Sequence, residues 1–227
     1  MKKLLLTVLA ALTLAACAKD DVLVRYEQDM VLIVDGKMLT DNGLTFTVVE
    51  NDATSEWTAW KRAFITCDVL RKKTETEYDI RLTDARQVLL KEAVAQGDLS
   101  EEELGDDPID ITYGWIAGGY LNLLTRIVYS PASDKPHLIN LVYLGEEEGV
   151  QRFRLRHNSY GYYFGAPEIE VPLSVGSSYV SFPIERFLPE GKDSVEVEVI
   201  WKWHVATGDG LIPETEEKSD RVILRRE

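Results

Sequence analysis

Histidine, cysteine and carboxylate side chains are the groups in this sequence that could take part in catalysis or bind a metal ion. His137, His157 and His204 lie far apart, without the short spacing of zinc ligands. Cys67 lies within the apolar run 63–67, which favours a small buried side chain over an activated nucleophile. The 39 aspartates and glutamates are too numerous for any two of them to identify a glycosidase pair. The sequence therefore predicts no catalytic site, no metal ion and no cofactor.

The second cysteine, Cys17, stands where a thiol is lipidated in exported proteins. Residues 1–3 include two lysines, residues 4–16 are apolar or small, and the pair Ala15-Ala16 directly precedes Cys17. This pattern is typical of a secretory signal peptide, and the cysteine after the small pair makes it resemble a bacterial lipoprotein signal. The apolar stretch is shorter than the ~20 residues that a membrane-spanning helix needs. We expect residues 1–16 to be removed and the protein to be anchored to a membrane through lipidated Cys17.

The residues after Cys17 predict where the anchored protein goes. Lys19, Asp20 and Asp21 resemble the acidic export signal that sends lipoproteins of Bacteroidota to the outer face of the outer membrane. Residues 17–24 are then a lipidated tether. The predicted location is the outer membrane, with the folded part facing the cell exterior.

The spacing of apolar residues predicts an all-β chain with two folded units. Residues 25–92 contain short apolar segments separated by turn signals such as Asp35-Gly36, a pattern typical of a small β-barrel. Residues 93–107 contain acids and no base, and we interpret them as an acidic linker that makes few contacts. Residues 108–227 contain further strand segments with the spacing of a β-sandwich.

Two segments of the second unit alternate clearly enough to assign faces. The odd-numbered residues from Ile109 to Trp115 are apolar or aromatic, which predicts a half-buried strand with these residues on one face. Val195, Val197 and Val199 share a face with Trp201 and Trp203. The two tryptophans could form a platform for a sugar, but they continue the valine face, which favours a place in the core.

The segment 157–164 is the stretch most typical of a binding site. Tyr160, Tyr162, Tyr163 and Phe164 lie among glycine and polar residues and do not alternate as a strand would. Aromatic and glycine-rich loops are common in recognition surfaces. A loop that folds over the end of the sandwich and plugs it is the equally favoured alternative.

Two further groups are candidate contact residues. Trp57 and Trp60 lie in a polar segment, where they would either face a ligand or cap the open end of the barrel, and the cap is slightly favoured. Arg152, Arg154 and Arg156 alternate on one strand and would bind an anion or an acidic partner. Cross-strand pairing of these arginines with glutamates of this chain is the favoured alternative.

The order of several short motifs over residues 25–205 resembles that of the NigD-like lipoproteins of Bacteroidota. The segments that carry the resemblance are Asp35-Gly36, Val48-Val49-Glu50-Asn51, Lys61-Arg62, Asp107-Pro108-Ile109-Asp110 with Trp115, Gly119-Tyr120-Leu121-Asn122, Leu155-Arg156-His157-Asn158 and Ser181-Phe182. The resemblance implies an N-terminal OB-type barrel followed by a C-terminal β-sandwich. It also implies a role in bacteriocin immunity and supplies no catalytic residues.

Two functions are therefore considered. The first is a non-enzymatic, surface-anchored lipoprotein that binds a secreted antibacterial protein or shields the receptor of that protein. The alternative is a lipoprotein that binds a glycan or a host surface through the aromatic loop at 157–164. Nucleic acid is not an expected partner, because the formal net charge of −14 opposes binding to phosphates.

Overall fold

The computed structural model describes residues 22–166, 171–207 and 210–225, and strands make up most of this part of the chain. The first five strands are β1 (Val24–Val34), β2 (Lys37–Thr40), β3 (Thr45–Asn51), β4 (Arg62–Lys72) and β5 (Glu77–Gln87). A short 3₁₀ helix, Trp57–Ala59, lies between β3 and β4. The five strands form a closed barrel in the order β1-β2-β3-β5-β4.

The barrel is built from turns and alternating side chains that are visible in the sequence. Asp35 and Gly36 both adopt positive φ angles, of 49° and 75°, and they join β1 to β2 as a two-residue hairpin. Alternate residues of each strand then face inward. The core of the barrel consists mainly of Val31, Met38, Phe46, Ile65, Cys67, Ile80 and Leu82.

Nine strands form the two sheets that follow. They are β6 (Leu89–Leu90), β7 (Val94–Ala95), β8 (Ile109–Ala117), β9 (Tyr120–Tyr129), β10 (Leu138–Glu147), β11 (Val150–Asn158), β12 (Ser174–Pro183), β13 (Ser194–Thr207) and β14 (Gly210–Arg225). One sheet has the order β14-β13-β11-β10-β7 and the other the order β6-β12-β9-β8. A helical turn, α1 (Glu101–Leu104), and a 3₁₀ turn, Glu185–Phe187, complete the secondary structure of the described residues.

The two sheets enclose one apolar core between them, as the alternation on β13 predicted. Val195, Val197 and Val199 are buried, and Trp201 and Trp203 lie beside them in the same core. The two tryptophans therefore pack inside the sandwich and are not a surface platform. The predicted fold class, an all-β chain with a barrel followed by a β-sandwich, is confirmed.

The acidic segment 93–107 makes more contacts than a linker would. Val94 and Ala95 form β7, which pairs in parallel with β10, and Ala93 and Leu104 are buried. Ser100 caps α1 through a reciprocal pair of hydrogen bonds with Glu103. The expectation of few contacts was wrong, because two apolar side chains bind this segment to the sandwich. The division of the chain into two domains at this segment stays a prediction.

The strand β8 changes face part-way along its length. Its pairing with β9 is regular up to Ile111 and resumes at Tyr113, so Thr112 is an extra residue and the strand has a bulge. Ile109 faces the core, whereas Tyr113 on the other side of the bulge is 63% exposed. The single apolar face predicted from alternation was therefore wrong for Tyr113 and Trp115.

Candidate binding cleft between the barrel and the sandwich

Arg62 connects the barrel to the sandwich. It opens β4, and its side chain is fully buried. Its Nη2 donates to both carboxylate oxygens of Asp41, at 2.9 and 2.7 Å, and to Oδ1 of Asn122 at 3.1 Å. Its Nε donates to Oγ of Ser181 at 3.0 Å. Since Asn122 and Ser181 belong to the sandwich, one guanidinium joins the two parts of the fold.

Neighbouring groups complete this Arg62 network. Ser181 Oγ donates to Asn122 Oδ1 at 2.6 Å, and the guanidinium carbon lies 4.1 Å from the centre of the Tyr120 ring. Burial raises the pKa of Asp41 above its usual value, while the hydrogen bond and charge of Arg62 oppose that shift. Arg62 therefore offsets part of the free-energy cost of burying the charged Asp41 carboxylate.

A cleft lies beside this network, between outward-facing side chains of β4 and β12. Phe64 follows Arg62 on the same face of β4, and Tyr179 precedes Ser181 on the same face of β12. The two rings meet edge to face, with centroids 4.4 Å apart. Beyond this contact lies a hollow of about 210 Å³, called here the junction cleft, whose lining includes Gln28, Phe64, Asp84, Arg86, Gln87 and Tyr179.

The junction cleft continues into a second hollow of about 500 Å³. The two share Arg86, Gln87 and Tyr179, and the second adds Leu89 and the hydroxyl side chains of Ser177 and Ser178. Together they are of the size of small-molecule sites, which is about 300–1,000 Å³. The connection between barrel and sandwich therefore creates a concave surface that neither part would have alone.

Four rings form an aromatic cluster that runs from this cleft to the outer surface: Phe64, Tyr113, Trp115 and Tyr179. The Trp115 ring lies 6.3 Å from both Phe64 and Tyr179, and Tyr113 stacks on it at 5.5 Å with an interplanar angle of 30°. Tyr113 is the most exposed ring of the cluster. From the sequence, Tyr113 and Trp115 were expected on the same face as Ile109. The bulge at Thr112 places both rings on the opposite face of β8.

The predicted aromatic loop divides between core and surface. Tyr163 and Phe164 pack against the core of the sandwich, and Phe164 lies 5.6 Å from the ring of His204. Tyr160 is 42% exposed, and the ammonium group of Lys135 lies 5.2 Å from its ring. Tyr162 is half-buried. Part of this loop thus plugs the sandwich, and its role in binding stays a prediction.

The two tryptophans between β3 and β4 pack against the core of the barrel. Trp57 is buried in the 3₁₀ helix, and Trp60 packs half-buried against the same core. Whether the two rings cap the barrel or face a ligand stays a prediction.

The arginines of β11 are paired with acids of this chain. Arg152 binds Glu198 at 2.8 Å and also Glu147. Arg154 binds Glu217 at 2.6 Å.

Arg156 extends the same ladder toward the acidic segment. It binds Glu101 at 2.8 Å and donates to the Gly105 carbonyl at 2.6 Å. Arg152 and Arg154 pair with glutamates of other strands, which is the alternative favoured from the sequence, whereas Arg156 pairs with Glu101 of α1. A role for the three arginines in binding a partner stays a prediction.

A buried imidazole, that of His157, lies against the half-buried imidazole of His137 near the aromatic loop. His157 is fully buried, and its Nδ1 lies 2.9 Å from the Pro108 carbonyl, which accepts a hydrogen bond from it. Its Nε2 lies 3.0 Å from Nδ1 of His137. Burial lowers the pKa of His157 to about 4, and burial also lowers the pKa of His137. His157 is therefore neutral at pH 7, and its hydrogen bonds help to hold the strand end that precedes the loop.

The structure describes one of the two cysteines, Cys67. Cys67 is fully buried in the barrel, and burial raises the pKa of its thiol to about 12. Cys17 and the export-signal residues Lys19, Asp20 and Asp21 lie outside the described residues. In the described part of the chain, no helix is both long and apolar enough to cross a bilayer.

Residues 92–209 match the family model of the NigD-like C-terminal β-sandwich domain, and this range covers β7 to β13 and more than half of the chain. The chain belongs to the NigD-like family. A search of curated proteins found no match.

Three solved structures of similar fold come from species of Bacteroides. A NigD-like immunity protein from Bacteroides caccae has a TM-score of 0.56 at 18% identity, with 85% of this chain and 90% of that chain covered. A protein of unknown function from Bacteroides vulgatus has a TM-score of 0.61 at 21% identity, with 90% of this chain and 92% of that chain covered. A candidate lipoprotein from Bacteroides fragilis has a TM-score of 0.60 at 12% identity, covering 88% and 97%. At these identities the likeness shows the fold alone.

Proposed function

We propose that this protein is a non-enzymatic, surface-anchored lipoprotein that protects its own cell from a secreted antibacterial protein. It does so by binding that protein or by shielding its receptor. The observation that carries the proposal is the NigD-like sandwich, matched over residues 92–209, on a chain that begins with a lipoprotein-type signal before Cys17. One solved structure of the same fold is a NigD-like immunity protein.

The exposed end of the aromatic cluster is the surface proposed for the protein partner. Tyr113 is largely exposed and stacks on Trp115, which holds the ring in one orientation. Large rings that bury area at low entropic cost dominate the energy of protein interfaces. Tyr113 lies on β8, the edge strand of its sheet, so a partner reaches it without displacing another strand.

Membrane anchoring places this surface outside the cell in our proposal. Lipidated Cys17 holds the chain in the outer membrane, and Lys19, Asp20 and Asp21 direct it to the outer leaflet. The test is protease shaving of intact cells: wild type is expected to be degraded, whereas Cys17→Ala is expected to be absent from the membrane fraction. Full protection of the wild-type chain in intact cells would contradict an exterior location.

Capture of the partner tests the binding mechanism. Residues 18–227, which retain every described residue, are immobilised and exposed to conditioned media of competing strains, and retained proteins are identified by mass spectrometry. We expect one secreted protein to be retained by wild type and lost with Tyr113→Ala. Tyr160→Ala is the matched control, since Tyr160 is also exposed but lies on the predicted loop.

The two protective mechanisms give different results in this experiment. Direct binding of the toxin predicts retention from the medium. Shielding of the receptor predicts that the bait instead retains a membrane protein of its own cell. Retention of neither, from media that kill a strain lacking the gene, would contradict the proposal.

Binding of a glycan remains the second candidate function. The specific observation that favours it is the polar lining of the junction cleft, which lies beside Tyr179 and Phe64. The aromatic loop at 157–164 was the site expected from the sequence, and two of its four rings pack inward.

A further inference from the structure

We propose that the junction cleft binds a neutral saccharide, with one sugar ring seated between the rings of Phe64 and Tyr179 and the polar side chains of β5. This inference rests on the second candidate function, glycan binding, and specifies its site and its ligand; it does not depend on the immunity role. It rests on three features of the described residues: an aromatic floor, a lining of hydrogen-bond donors and acceptors, and a buried connection between barrel and sandwich beside the cleft.

The aromatic floor suits the apolar face of a sugar. Phe64 and Tyr179 are both half-buried, and each lines the junction cleft. Their edge-to-face contact fixes their orientations relative to each other. A pyranose presents carbon-bound hydrogens on one face, and such a face packs on an aromatic ring without leaving a polar group unsatisfied.

The rim of the cleft suits hydroxyl groups. Gln28 and Gln87 contribute amides, Asp84 contributes a carboxylate, and Ser177 and Ser178 of the adjoining hollow contribute hydroxyls. Each sugar hydroxyl both donates and accepts a hydrogen bond, and amides and hydroxyls offer both functions. A lining of this composition therefore matches a polyol.

The charges in the cleft argue against a phosphate or another anion. Arg86 lies two residues from Asp84 on β5, and its Nε lies 3.3 Å from the Asp84 carboxylate. Among the lining residues that the structure describes, Arg86 is the only cation, and this pairing balances its charge. The Asp84 carboxylate repels an anionic ligand beside Arg86, whereas a neutral sugar leaves the pair intact and can hydrogen-bond to it.

The strand β1 is distorted where it reaches the cleft. Its pairing with β4 shifts register between Tyr26 and Asp29, and Gln28 within this bulge has a φ angle of 56°. A left-handed backbone at a residue other than glycine is strained, and bulges are frequent beside binding sites, where they redirect a side chain. Here the bulge places Gln28 in the lining of the cleft.

The Arg62 network holds the two walls of the cleft at a fixed separation. Arg62 precedes Phe64 by two residues on β4, and its Ser181 partner follows Tyr179 by two residues on β12. The buried hydrogen bonds therefore lie directly beside the aromatic floor, on the same faces of β4 and β12. A preformed site loses less conformational entropy when its ligand binds.

A glycan array followed by calorimetry tests the proposal. The probe is a printed array that includes maltoheptaose, xylohexaose, mucin-type O-glycans and, as the anionic comparison, phosphorylated mannose. Residues 18–227 are applied, and each oligosaccharide that binds is then titrated in solution. We expect at least one neutral oligosaccharide to bind and phosphorylated mannose not to bind.

Variants locate the binding within the fold. Gln87→Ala is expected to weaken binding about fivefold, as the loss of one neutral hydrogen bond does. Tyr179→Leu keeps an apolar side chain against Phe64 but removes the ring, and we expect it to weaken binding more than tenfold. Gln96→Ala is the matched control: Gln96 is likewise an exposed glutamine but lies in the turn after β7, so binding should not change. Near-ultraviolet circular dichroism of each variant confirms that the fold is kept.

Four results would overturn the inference. Two concern the ligand: the failure of every neutral oligosaccharide to bind, and selective binding of phosphorylated mannose. Two concern the variants: equal binding by wild type and Gln87→Ala, and loss of binding in Tyr160→Ala, which would place the site on the aromatic loop. Survival of cells carrying Gln87→Ala under attack by a competitor is measured in parallel. Because that survival is expected to be normal, failure of the saccharide site and failure of the immunity role remain distinguishable.

Discussion

Replacement of Arg62 by leucine should destabilise the protein far more than replacement of an arginine on its surface. Arg62→Leu leaves the Asp41 carboxylate, which is only 10% exposed, without its cation. Removal of one partner from a buried ion pair costs roughly 3–5 kcal/mol in the free energy of unfolding. For a chain of this size each kcal/mol corresponds to ~2–4 °C, so the melting temperature should fall by roughly 10 °C.

Arg154→Leu is the matched control for this loss. Arg154 also forms a close ion pair, with Glu217, but both side chains are partly exposed to water. Exposed pairs contribute ~0–1 kcal/mol, so this variant should melt within a few degrees of wild type. Calorimetry and urea unfolding of the three proteins measure the difference.

The pH dependence of the Arg62→Leu variant tests the physical cause. Burial already raises the pKa of Asp41, and the hydrogen bond and charge of Arg62 restrain that rise. Without Arg62 the pKa of Asp41 should rise further. A carboxyl whose folded pKa lies above its unfolded pKa lowers stability as the pH rises through that range. The variant should therefore lose more stability relative to wild type at pH 7 than at pH 4. A loss below 1 kcal/mol, or one equal at both pH values, would refute this account.

Three further predictions concern His157, Gly105 and Cys67. Burial lowers the pKa of His157 from 6.5 to about 4, so the unfolded chain takes up a proton at a higher pH than the folded chain does. The contribution of His157 to the free energy of unfolding should be fully present above about pH 6.5 and fall by about 3 kcal/mol as the pH approaches 4. A flat urea-unfolding profile over this range would count against a buried, neutral His157. Gly105 has a φ angle of 65°, and an added Cβ would lie 2.4 Å from the His157 carbonyl oxygen. Gly105→Ala should therefore lower the free energy of unfolding by ~1–3 kcal/mol more than Gly97→Ala, where the space is open. Equal losses would show that the contact relaxes freely. Cys67 should not react with Ellman's reagent until the barrel unfolds, and labelling of the native protein within minutes would show that its thiol is accessible.

Regular alternation was the most reliable guide to the fold. The Val195 to Trp203 pattern identified the core face of β13, and Asp35-Gly36 identified a hairpin turn. Both signals are local, because a strand alternates with period two and a two-residue hairpin needs positive φ at both turn residues. Such features can be predicted from a single sequence.

The bulge in β8 shows where alternation fails. Thr112 is an extra residue in the ladder, and it shifts Tyr113 and Trp115 to the outer face. A shift of one residue exchanges the two faces of a strand. The rings predicted to share the face of Ile109 thus became the exposed end of the aromatic cluster, and the candidate protein-binding surface was missed.

The junction cleft was missed because its parts are distant in sequence. In the sequence, Arg62 stood out only as part of the Lys61-Arg62 segment of the family resemblance, while its partners Asn122 and Ser181 lie 60 and 119 residues away. Burial of a guanidinium depends on which side chains the fold brings to it. The acidic segment 93–107 was misjudged for the same reason, since its contacts with β10 are set by tertiary structure.

Killing by the captured protein is the measurement that most directly tests the immunity role. The secreted protein retained by residues 18–227 is purified and titrated against a strain that lacks the gene, the same strain complemented with wild type, and the same strain complemented with Cys17→Ala. We predict that the deletion strain and the Cys17→Ala strain die at lower concentrations than the wild-type strain. Equal sensitivity of all three strains would contradict a protective role for this lipoprotein.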